Sequence, residues 1–195
     1  MQDLYNRLLE ATGDKPKNVF LPPTEADLAN RVKQRIAVIG NKLKKQGVLN
    51  ADGSYDFKDD VDIDNLGLKN IAELGIKFGK VGGYFNCGNN QLTNLEGAPT
   101  KVGGYFYCRY NKLTSLEGAP QEVGGGFYCD NNRLTGLEGA PQEVSGWFDC
   151  RHNQFTNLEG APSKVGGDFW CSHNKVKFSK DDVRKVSNVR GEIIT

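Results

Sequence analysis

Hydrophobic and polar positions repeat along this chain with a period of 21 residues. Five copies of the pattern V-(G/S)-G-x-F-x-C-x-x-N begin at Val81, Val102, Val123, Val144 and Val165. Four of these copies continue into the segment x-(L/F)-T-x-L-E-G-A-P. A fixed period of this length is typical of a solenoid, in which each repeat packs only on its neighbours.

Inside each copy, the alternation F-x-C predicts a β-strand with one buried face, because successive strand side chains point to opposite sides. The Phe and the Cys point inward, and the Asn that follows ends the strand. A repeated Asn at a turn is expected to hydrogen-bond the backbone of its own turn and of the next repeat. The later Leu pair, such as Leu113 and Leu116, turns inward again. The Gly pair before each strand suits a tight turn or a bulge.

The segment 111–120, which reads N-K-L-T-S-L-E-G-A-P, resembles the short bacterial class of leucine-rich repeat, whose consensus continues N-x-L-T-x-L-P-x-x-P. The chain departs from that class with Glu-Gly in place of Pro and with V-G-G-x-F in place of L-x-x-L. The resemblance covers about residues 60–178. It implies a leucine-rich-repeat solenoid of parallel β-strands with irregular convex returns. The repeat is also similar to that of proteins encoded by tailed bacteriophages.

The predicted organisation of the chain has three parts. Residues 1–53 form a helical N-terminal cap, residues 54–178 form the solenoid, and residues 179–195 form a C-terminal cap with a short helix. The solenoid begins with a degenerate repeat at about residues 54–80, and the five 21-residue repeats start at residue 81. Terminal repeats of solenoids often depart from the consensus in this way.

The N-terminal region is predicted to contain two helices joined by a Pro-containing linker. Residues 1–12 form a short helix, and apolar residues recur at helical spacing over residues 24–46. Lysines and arginines occupy the other face of the second helix, which is typical of a membrane surface or an anionic partner. We favour the alternative, in which the apolar face caps the open first repeat and the basic face lies in water.

Composition narrows the function classes. The 195 residues carry a formal net charge of +1, which argues against a nucleic-acid partner because phosphate contacts need clustered cations. The first residues lack a signal-peptide pattern, and no apolar run reaches the ~20 residues that span a bilayer. We therefore expect a cytoplasmic protein without a membrane partner, located in the host cell if it is viral.

All five cysteines occupy one repeated position, and 21 residues separate each from the next. This spacing matches no zinc pattern, since zinc sites use close pairs such as C-x-x-C. Stacked strands would place successive thiols ~5 Å apart in an inward-facing row. We interpret each as a small buried hydrophobe, and a metal ladder or a redox site is the alternative. The five are Cys87, Cys108, Cys129, Cys150 and Cys171.

Four outward columns vary from repeat to repeat, whereas the inward columns hardly change. These outward columns flank the Phe and the Cys and are rich in Tyr, Trp, Arg and His, several of which are enriched in interface hot spots. They predict a partner-binding face on the concave sheet, here called the aromatic face. Its predicted residues are Tyr84, Tyr105, Tyr107, Arg109, Tyr110, Tyr128, Trp147, Asp149, Arg151, His152, Trp170 and His173. The alternative is that the aromatic residues are cross-strand pairs that only stabilise the sheet.

Catalysis is the least favoured function class. His152 and His173 lie near Asp149 and Asp168 in the repeat pattern, and a His–Asp pair is the start of a general-base arrangement. However, no nucleophile or phosphate-binding loop accompanies the pair, and an open sheet offers no pocket that excludes water. We expect no catalytic residue, no cofactor and no metal. A repeated glutamate column leaves a bound cation as an alternative.

The sequence therefore predicts a non-enzymatic module for protein–protein interaction. The similarity to phage repeat proteins makes a protein of the bacterial host, such as a defence component, the expected partner by analogy. Two alternatives stay open. The first is binding of a glycan or single-stranded nucleic acid by aromatic stacking. The second is a structural role in a virion or another assembly through self-association.

Overall fold

The computed structural model describes residues 23–195, and the helix expected at residues 1–12 lies outside the described residues. The first element is a helix of 22 residues, Glu25–Gln46. Thr24 caps this helix, because its Oγ1 accepts from the backbone N–H of Asp27 at 3.1 Å. In return, the Asp27 carboxylate accepts from the backbone N–H of Thr24 at 2.9 Å. This reciprocal pair is a capping box.

Fifteen short strands, numbered in chain order, follow this helix in the described part of the chain and form two sheets. The first sheet contains β1 (Val48–Leu49), β2 (Tyr55–Phe57), β4 (Phe78–Val81), β6 (Lys101–Val102), β8 (Glu122–Val123), β10 (Glu143–Val144), β12 (Lys164–Val165) and β14 (Asn188–Val189). The second sheet contains β3 (Val61–Asp62), β5 (Phe85–Asn86), β7 (Phe106–Tyr107), β9 (Phe127–Tyr128), β11 (Phe148–Asp149), β13 (Phe169–Trp170) and β15 (Ile193–Ile194). Apart from the antiparallel pair β1–β2, neighbouring strands run parallel.

Each turn of the chain gives one strand to each sheet, which makes a parallel-strand β-solenoid of about seven turns. Equivalent residues of successive repeats pair with one another, as Phe106 does with Phe127. The solenoid that the repeat period predicts is therefore confirmed. The sequence predicted one strand in each repeat, at F-x-C, which corresponds to the second sheet. The structure has a second strand in each repeat, and these strands form the first sheet. Its strands before the glycine pairs are mostly two residues long, too short for an alternating pattern to reveal them.

The glycine pairs form the corner between the two sheets, where backbones of successive turns come into close contact. The backbone N–H of Gly103 donates to the carbonyl of Val81 at 2.8 Å, and a Cβ atom on Gly103 would overlap the carbonyl oxygen of Gly82. One repeat has a serine at this position, and there the bond from the Ser145 N–H to the Val123 carbonyl lengthens to 3.5 Å. Glycine thus permits the closest approach of the neighbouring backbone, and the repeat with serine has a longer hydrogen bond.

We expect the substitution Gly103→Ala to lower the free energy of unfolding by about 1–3 kcal/mol, because the new methyl group meets a backbone that cannot move aside. The matched control is Ser145→Ala, since that repeat already accommodates a Cβ atom, and its expected effect is within about 0.5 kcal/mol. Urea denaturation measures both values. Equal effects of the two substitutions would contradict the close-contact explanation.

The inward columns build a continuous core along the solenoid. Adjacent rings in the column of Phe85, Phe106, Phe127, Phe148 and Phe169 have centroids 5.1 to 5.8 Å apart, and all five side chains are fully buried. The cysteine column is buried in the same core, and so are Leu113 and Leu116. The predicted inward positions are therefore confirmed, and the burial of apolar side chains stabilises the stack of turns.

The Asn that ends each strand connects neighbouring turns. The Asn132 side-chain amide donates to the carbonyls of Cys129 and Asp130 in its own turn, at 3.1 and 3.3 Å. It also donates to the carbonyl of Cys108 at 3.1 Å, and its Oδ1 accepts from the N–H of Leu113 at 3.0 Å. The predicted bonds to the turn itself are confirmed. The bonds between repeats reach the preceding repeat, whereas the sequence prediction placed them on the next one.

The C-terminal part of the long helix packs on the first turn of the solenoid. Ile36 and Leu43 are buried in the core, and the helix backbone at Gly40 lies so close to the Leu74 carbonyl that a larger residue would overlap it. Leu74 belongs to a short 3-10 helix, Ile71–Leu74. The prediction that the apolar face of this helix caps the first repeat requires a packing contact of this kind. No helix between residues 23 and 195 is long and apolar enough to cross a membrane.

The C-terminal segment contains the predicted short helix, Lys180–Val186, and then two further strands. Ser179 caps the helix, and hydrogen bonds from its N–H and hydroxyl, with one from Lys185, lower the pKa of Asp182 to about 2. After the helix, β14 pairs with β12 and β15 pairs with β13. The region predicted as a helical cap therefore adds one more turn to the solenoid, and a capping role for residues 179–195 stays a prediction.

Candidate binding face

The outer surface of the second sheet presents three of the four predicted columns. Tyr105, Tyr107 and Arg109 form one row, and the next row belongs to the following turn because Tyr107 pairs with Tyr128. Successive rows are therefore separated by the strand spacing of ~4.8 Å. The structure brings these predicted residues onto this surface: Tyr84, Tyr105, Tyr107, Arg109, Tyr128, Trp147, Arg151 and Trp170. Asp149 belongs to one of the same columns but is buried.

The fourth predicted column lies on the turn after the strand. Tyr110, His152 and His173 have φ angles of 53°, 53° and 57°, in the left-handed region. Asn89 and Asn131 occupy the same position in other turns, with φ angles of 50° and 55°. Asparagine adopts this conformation more readily than other residues with a side chain. The sequence prediction missed the turn because it ended the strand only at the following Asn.

Four tyrosines form a continuous cluster on one half of the face. The rings of Tyr107 and Tyr128 stack with centroids 4.9 Å apart, and Tyr105 lies 5.9 Å from Tyr107 and 6.3 Å from Tyr128. Tyr84 meets Tyr107 edge to face at 6.2 Å. The guanidinium carbon of Arg109 lies 5.6 Å from the centre of the Tyr107 ring, within the range of a cation–π contact.

The hydroxyl groups of Tyr84, Tyr107 and Tyr128 stay neutral at physiological pH. Burial raises the pKa of Tyr128 to about 12 and also raises the pKa of Tyr107. The pKa of Tyr84 is raised by burial and by the nearby charges of Asp62 and Asp60. Each of these three tyrosines can therefore offer a partner a ring surface together with a neutral hydroxyl that donates or accepts a hydrogen bond.

Two tryptophans and an arginine form a second cluster on the other half of the face. Trp147 and Trp170 are nearly parallel, with centroids 6.5 Å apart and an angle of 13° between their rings. The guanidinium of Arg151 lies 4.4 Å from the Trp170 ring centre. It also binds Asp149 in a bidentate pair, with Nε to Oδ1 at 2.9 Å and Nη2 to Oδ2 at 2.7 Å. Asp149 is only 2% exposed, so the pair fixes the arginine in place.

Asp130 is a buried carboxyl group that the sequence analysis did not select as a site residue. Its Oδ2 accepts from the Asn131 side chain at 2.6 Å, and its Oδ1 is buried without a hydrogen-bond partner. Burial, together with the charge of Asp149, raises the pKa of Asp130. The Nε1 of Trp170 is likewise buried without a partner. Such unpaired groups are costly, and they are often found at functional sites.

The ring contacts agree in part with the cross-strand alternative, in which the aromatic residues only stabilise the sheet. Stacked pairs such as Tyr107 and Tyr128 are contacts of that kind. However, Trp147 stays 43% exposed and Tyr105 stays 39% exposed. Stabilisation of the sheet does not require large aromatic surfaces in water. The exposure of such rings in two clusters on one face of a sheet is typical of a binding surface.

The His–Asp arrangement considered from the sequence is not formed in the described part of the chain. His152 and His173 stack on each other, with ring centroids 4.3 Å apart. Both carboxylate oxygens of Asp149 accept from Arg151, and the Nδ1 of His173 lies 3.1 Å from the Ser172 hydroxyl. Among residues 23–195, no group of three or more His, Cys, Asp and Glu side chains is placed to hold a metal ion.

The cysteines lie on the opposite side of the second sheet from this face, in the core. Burial raises the pKa of all five thiols, and it brings that of Cys171 to about 11. The thiols of Cys87 and Cys150 donate to the carbonyls of Tyr107 and Trp170 in the next turn, at 3.3 and 3.4 Å. This environment is that of inert, buried thiols, as the preferred interpretation of the cysteine spacing expects.

We expect the folded protein to react with a thiol reagent such as dithionitrobenzoate only when it unfolds. All five cysteines are buried and their thiols are protonated at neutral pH, so the reactive thiolate is scarce and inaccessible. In denaturant all five should react at once. Rapid reaction of one or more thiols in buffer would support the redox alternative.

Comparisons with protein-family models, with curated proteins and with solved structures find no match for this chain. The function of the aromatic face is therefore inferred from its own side chains. They include exposed aromatic rings and two arginines, each of which lies over a ring. They also include a buried carboxyl oxygen, that of Asp130, which has no hydrogen-bond partner.

Proposed function

We propose that this chain is a non-enzymatic interaction module that binds a protein partner through the aromatic face. The observation that carries the proposal is the exposure of large rings on a rigid backbone. The carbonyl of Trp147 accepts from the Phe127 N–H at 2.8 Å, while its ring stays 43% exposed. Aromatic side chains that are already ordered lose little conformational freedom on binding, so more of the contact energy appears as affinity.

The size of the face limits the kind of partner. Five rows at ~4.8 Å cover about 24 Å, and five residues along the chain at ~3.3 Å cover about 17 Å. The projected area is about 400 Å², roughly half of the ~800 Å² per partner of a standard interface. A protein segment, a loop or the edge of a small domain fits such a surface. Tight binding would also need contacts from the neighbouring turns or the long helix.

We infer the wider assignment by analogy. The asparagine column and the inward leucine pairs support membership of the short leucine-rich-repeat class, although the corner with two sheets is an additional feature. The similarity to phage repeat proteins supports a partner from the bacterial host, in the host cytoplasm. This step rests on resemblance and not on the chemistry of the face.

The experiment that tests the proposal is affinity capture from bacterial lysate with the immobilised chain. The native chain is compared with the variant Tyr107→Ala, Trp147→Ala, Trp170→Ala. A control variant, Gln121→Ala and Gln142→Ala, changes exposed residues beside the first sheet. We expect a protein that the native chain and the control retain and the aromatic variant loses. Equal recovery of the same proteins by all three would contradict the proposal.

Glycan binding is the second candidate function, and the tyrosine cluster favours it. Sugar rings stack on exposed aromatic faces, and Tyr105 offers such a face beside the Tyr107–Tyr128 stack. A sugar array distinguishes the two candidates. Binding of a defined sugar, lost in the aromatic variant, would support the glycan. Absence of binding to any sugar would remove it.

A further inference from the structure

We propose that a basic ridge beside the aromatic face binds an acidic segment of the partner; this inference rests on the proposed protein-binding function. The ridge follows the turns at the end of the second sheet. Its charged residues are Arg109, Lys112, Arg133, Arg151 and Lys175. The partner must then carry negative charge beside the segment that contacts the aromatic face.

The repeat register brings these charges together. Lys112, Arg133 and Lys175 hold the same position in their repeats, two residues after the left-handed turn, and all three are exposed. The ammonium of Lys112 contacts the Gln91 side chain of the preceding turn at 3.2 Å, which shows that this column stacks from turn to turn. Arg109 precedes the same turn and is also exposed. The ridge therefore carries at least one cation in each of four successive turns, and the neutral Gln154 interrupts the column of Lys112, Arg133 and Lys175.

Exposed carboxylates do not offset this row within its own turns. Between residues 109–112, 130–133, 151–154 and 172–175, the sequence has one carboxyl group, that of Asp130, and it is 6% exposed. Arg151 is neutralised in part by Asp149, which is also buried. The charge that solvent and partners meet along the ridge is thus positive, although the net charge of the chain is only +1.

Exposed acidic charge lies at the first turn, next to Tyr84. Asp60 and Asp62 are exposed there, and the register places Asp62 beside Asn86 in the following turn. A nucleic-acid strand along the whole face would meet these carboxylates with its phosphates and be repelled. A protein segment can match both ends, because it can place acidic residues on the ridge and a basic residue at the first turn.

The left-handed turns give a second, independent indication that the ridge is a contact surface. Tyr110, His152 and His173 adopt positive φ angles that asparagine adopts with less strain. All three side chains are exposed, so burial in the core does not compensate for this strain. His152 and His173 gain a stacking contact with each other, whereas a contact outside the chain would account for all three exposed rings. Each lies beside a cation of the ridge: Tyr110 beside Arg109 and Lys112, His152 beside Arg151, and His173 near Lys175.

The charge part of the proposal is tested with fluorescent peptides and fluorescence anisotropy. The probe is a short poly-glutamate peptide, with poly-lysine and poly-thymidine as comparisons. We expect poly-glutamate to bind best, with an affinity that falls at high salt. The variant Lys112→Gln, Arg133→Gln, Lys175→Gln should weaken this binding about tenfold or more. The control variant Lys42→Gln, Lys44→Gln, Lys45→Gln removes the same amount of charge from the long helix. We expect it to leave the binding of poly-glutamate unchanged.

Equal weakening by the two variants would overturn the ridge proposal, and so would stronger binding of poly-thymidine or an absence of poly-glutamate binding. These outcomes are distinguishable from failure of the proposed function. If the ridge variant still captures the same lysate protein as the native chain does, the ridge is dispensable and the aromatic face stands.

The strain part is tested by thermal unfolding. The variant Tyr110→Asn, His152→Asn, His173→Asn is expected to raise the melting temperature by about 2–6 °C, because asparagine relieves the left-handed strain. The matched control Asn131→His should lower it. We also expect the more stable variant to capture less of the partner. An unchanged or lower melting temperature would overturn this part of the proposal, and so would unchanged capture.

Discussion

The substitution Asn132→Ala is expected to lower the free energy of unfolding by about 3 kcal/mol or more. The Asn132 side chain is buried and joins two turns through hydrogen bonds to backbone groups. Alanine leaves these groups without that partner in the core, where each unsatisfied group costs about 1–3 kcal/mol. Because each turn packs only on its neighbours, a break in the middle of the stack separates the two halves of the solenoid.

The control for this prediction is Asn157→Ala. The Asn157 side chain is exposed and accepts one bond, from the Glu159 N–H at 2.9 Å, within its own turn. Its loss should change the free energy of unfolding by less than about 1 kcal/mol. Urea denaturation followed by circular dichroism measures both variants. Similar effects of the two substitutions would show that the asparagine column does not hold the turns together.

We expect the variant Tyr107→Ala, Trp147→Ala, Trp170→Ala to lose partner binding while it keeps most of its folding stability. Truncation of a hot-spot aromatic residue to alanine weakens the binding free energy by about 2 kcal/mol or more, so partner affinity should fall at least about 100-fold. Their ring contacts within the sheet contribute only about 0.2–1 kcal/mol each. The variant should therefore fold and melt in a cooperative transition while partner binding is lost. Thermal unfolding and titration of the captured partner measure the two properties.

A core substitution supplies the contrast. Phe127 is fully buried between Phe106 and Phe148, and Phe127→Ala should destabilise the fold by about 3–5 kcal/mol. If the aromatic variant were destabilised as much as Phe127→Ala, the exposed rings would be structural, as the cross-strand alternative holds. A stable aromatic variant that still binds the partner would remove the face as the binding site.

The inward half of the fold could be predicted from the sequence because it repeats without change. Phe127, Cys129 and Asn132 each occupy a column that a period of 21 residues makes visible, and burial on one face explains their spacing. The first sheet was missed because strands such as Glu122–Val123 are too short to alternate. Their pairing depends on the stacking of whole turns, which is a property of the solenoid and not of a short segment.

The last turn was missed although a sequence signal for it exists. Val189, Gly191 and Ile193 keep the spacing of the V-x-G-x-F pattern, with Ile in place of Phe. The structure pairs Val165 with Val189 and Phe169 with Ile193. A search of the repeat pattern that allowed any large apolar residue in place of Phe would have extended the solenoid to the end of the chain.

The chemistry of the face depended on side-chain geometry that a sequence does not contain. The columns predicted that Asp149 and Arg151 point outward, but not that they form a bidentate pair under Trp170. The buried, unpaired oxygen of Asp130 depends in the same way on how its neighbours pack. Tyr110 was assigned to the strand, and its positive φ angle became visible only with the backbone.

Photo-crosslinking from within the aromatic face tests the central claim most directly. A photoreactive benzoyl-phenylalanine replaces Tyr107, and a control chain carries it in place of Gln121 beside the first sheet. Each chain is irradiated in bacterial lysate. The predicted result is one defined crosslinked protein from position 107, absent when Trp147 and Trp170 are alanine and absent from position 121. Crosslinks of the same protein from both positions, or from position 121 alone, would contradict binding through the aromatic face.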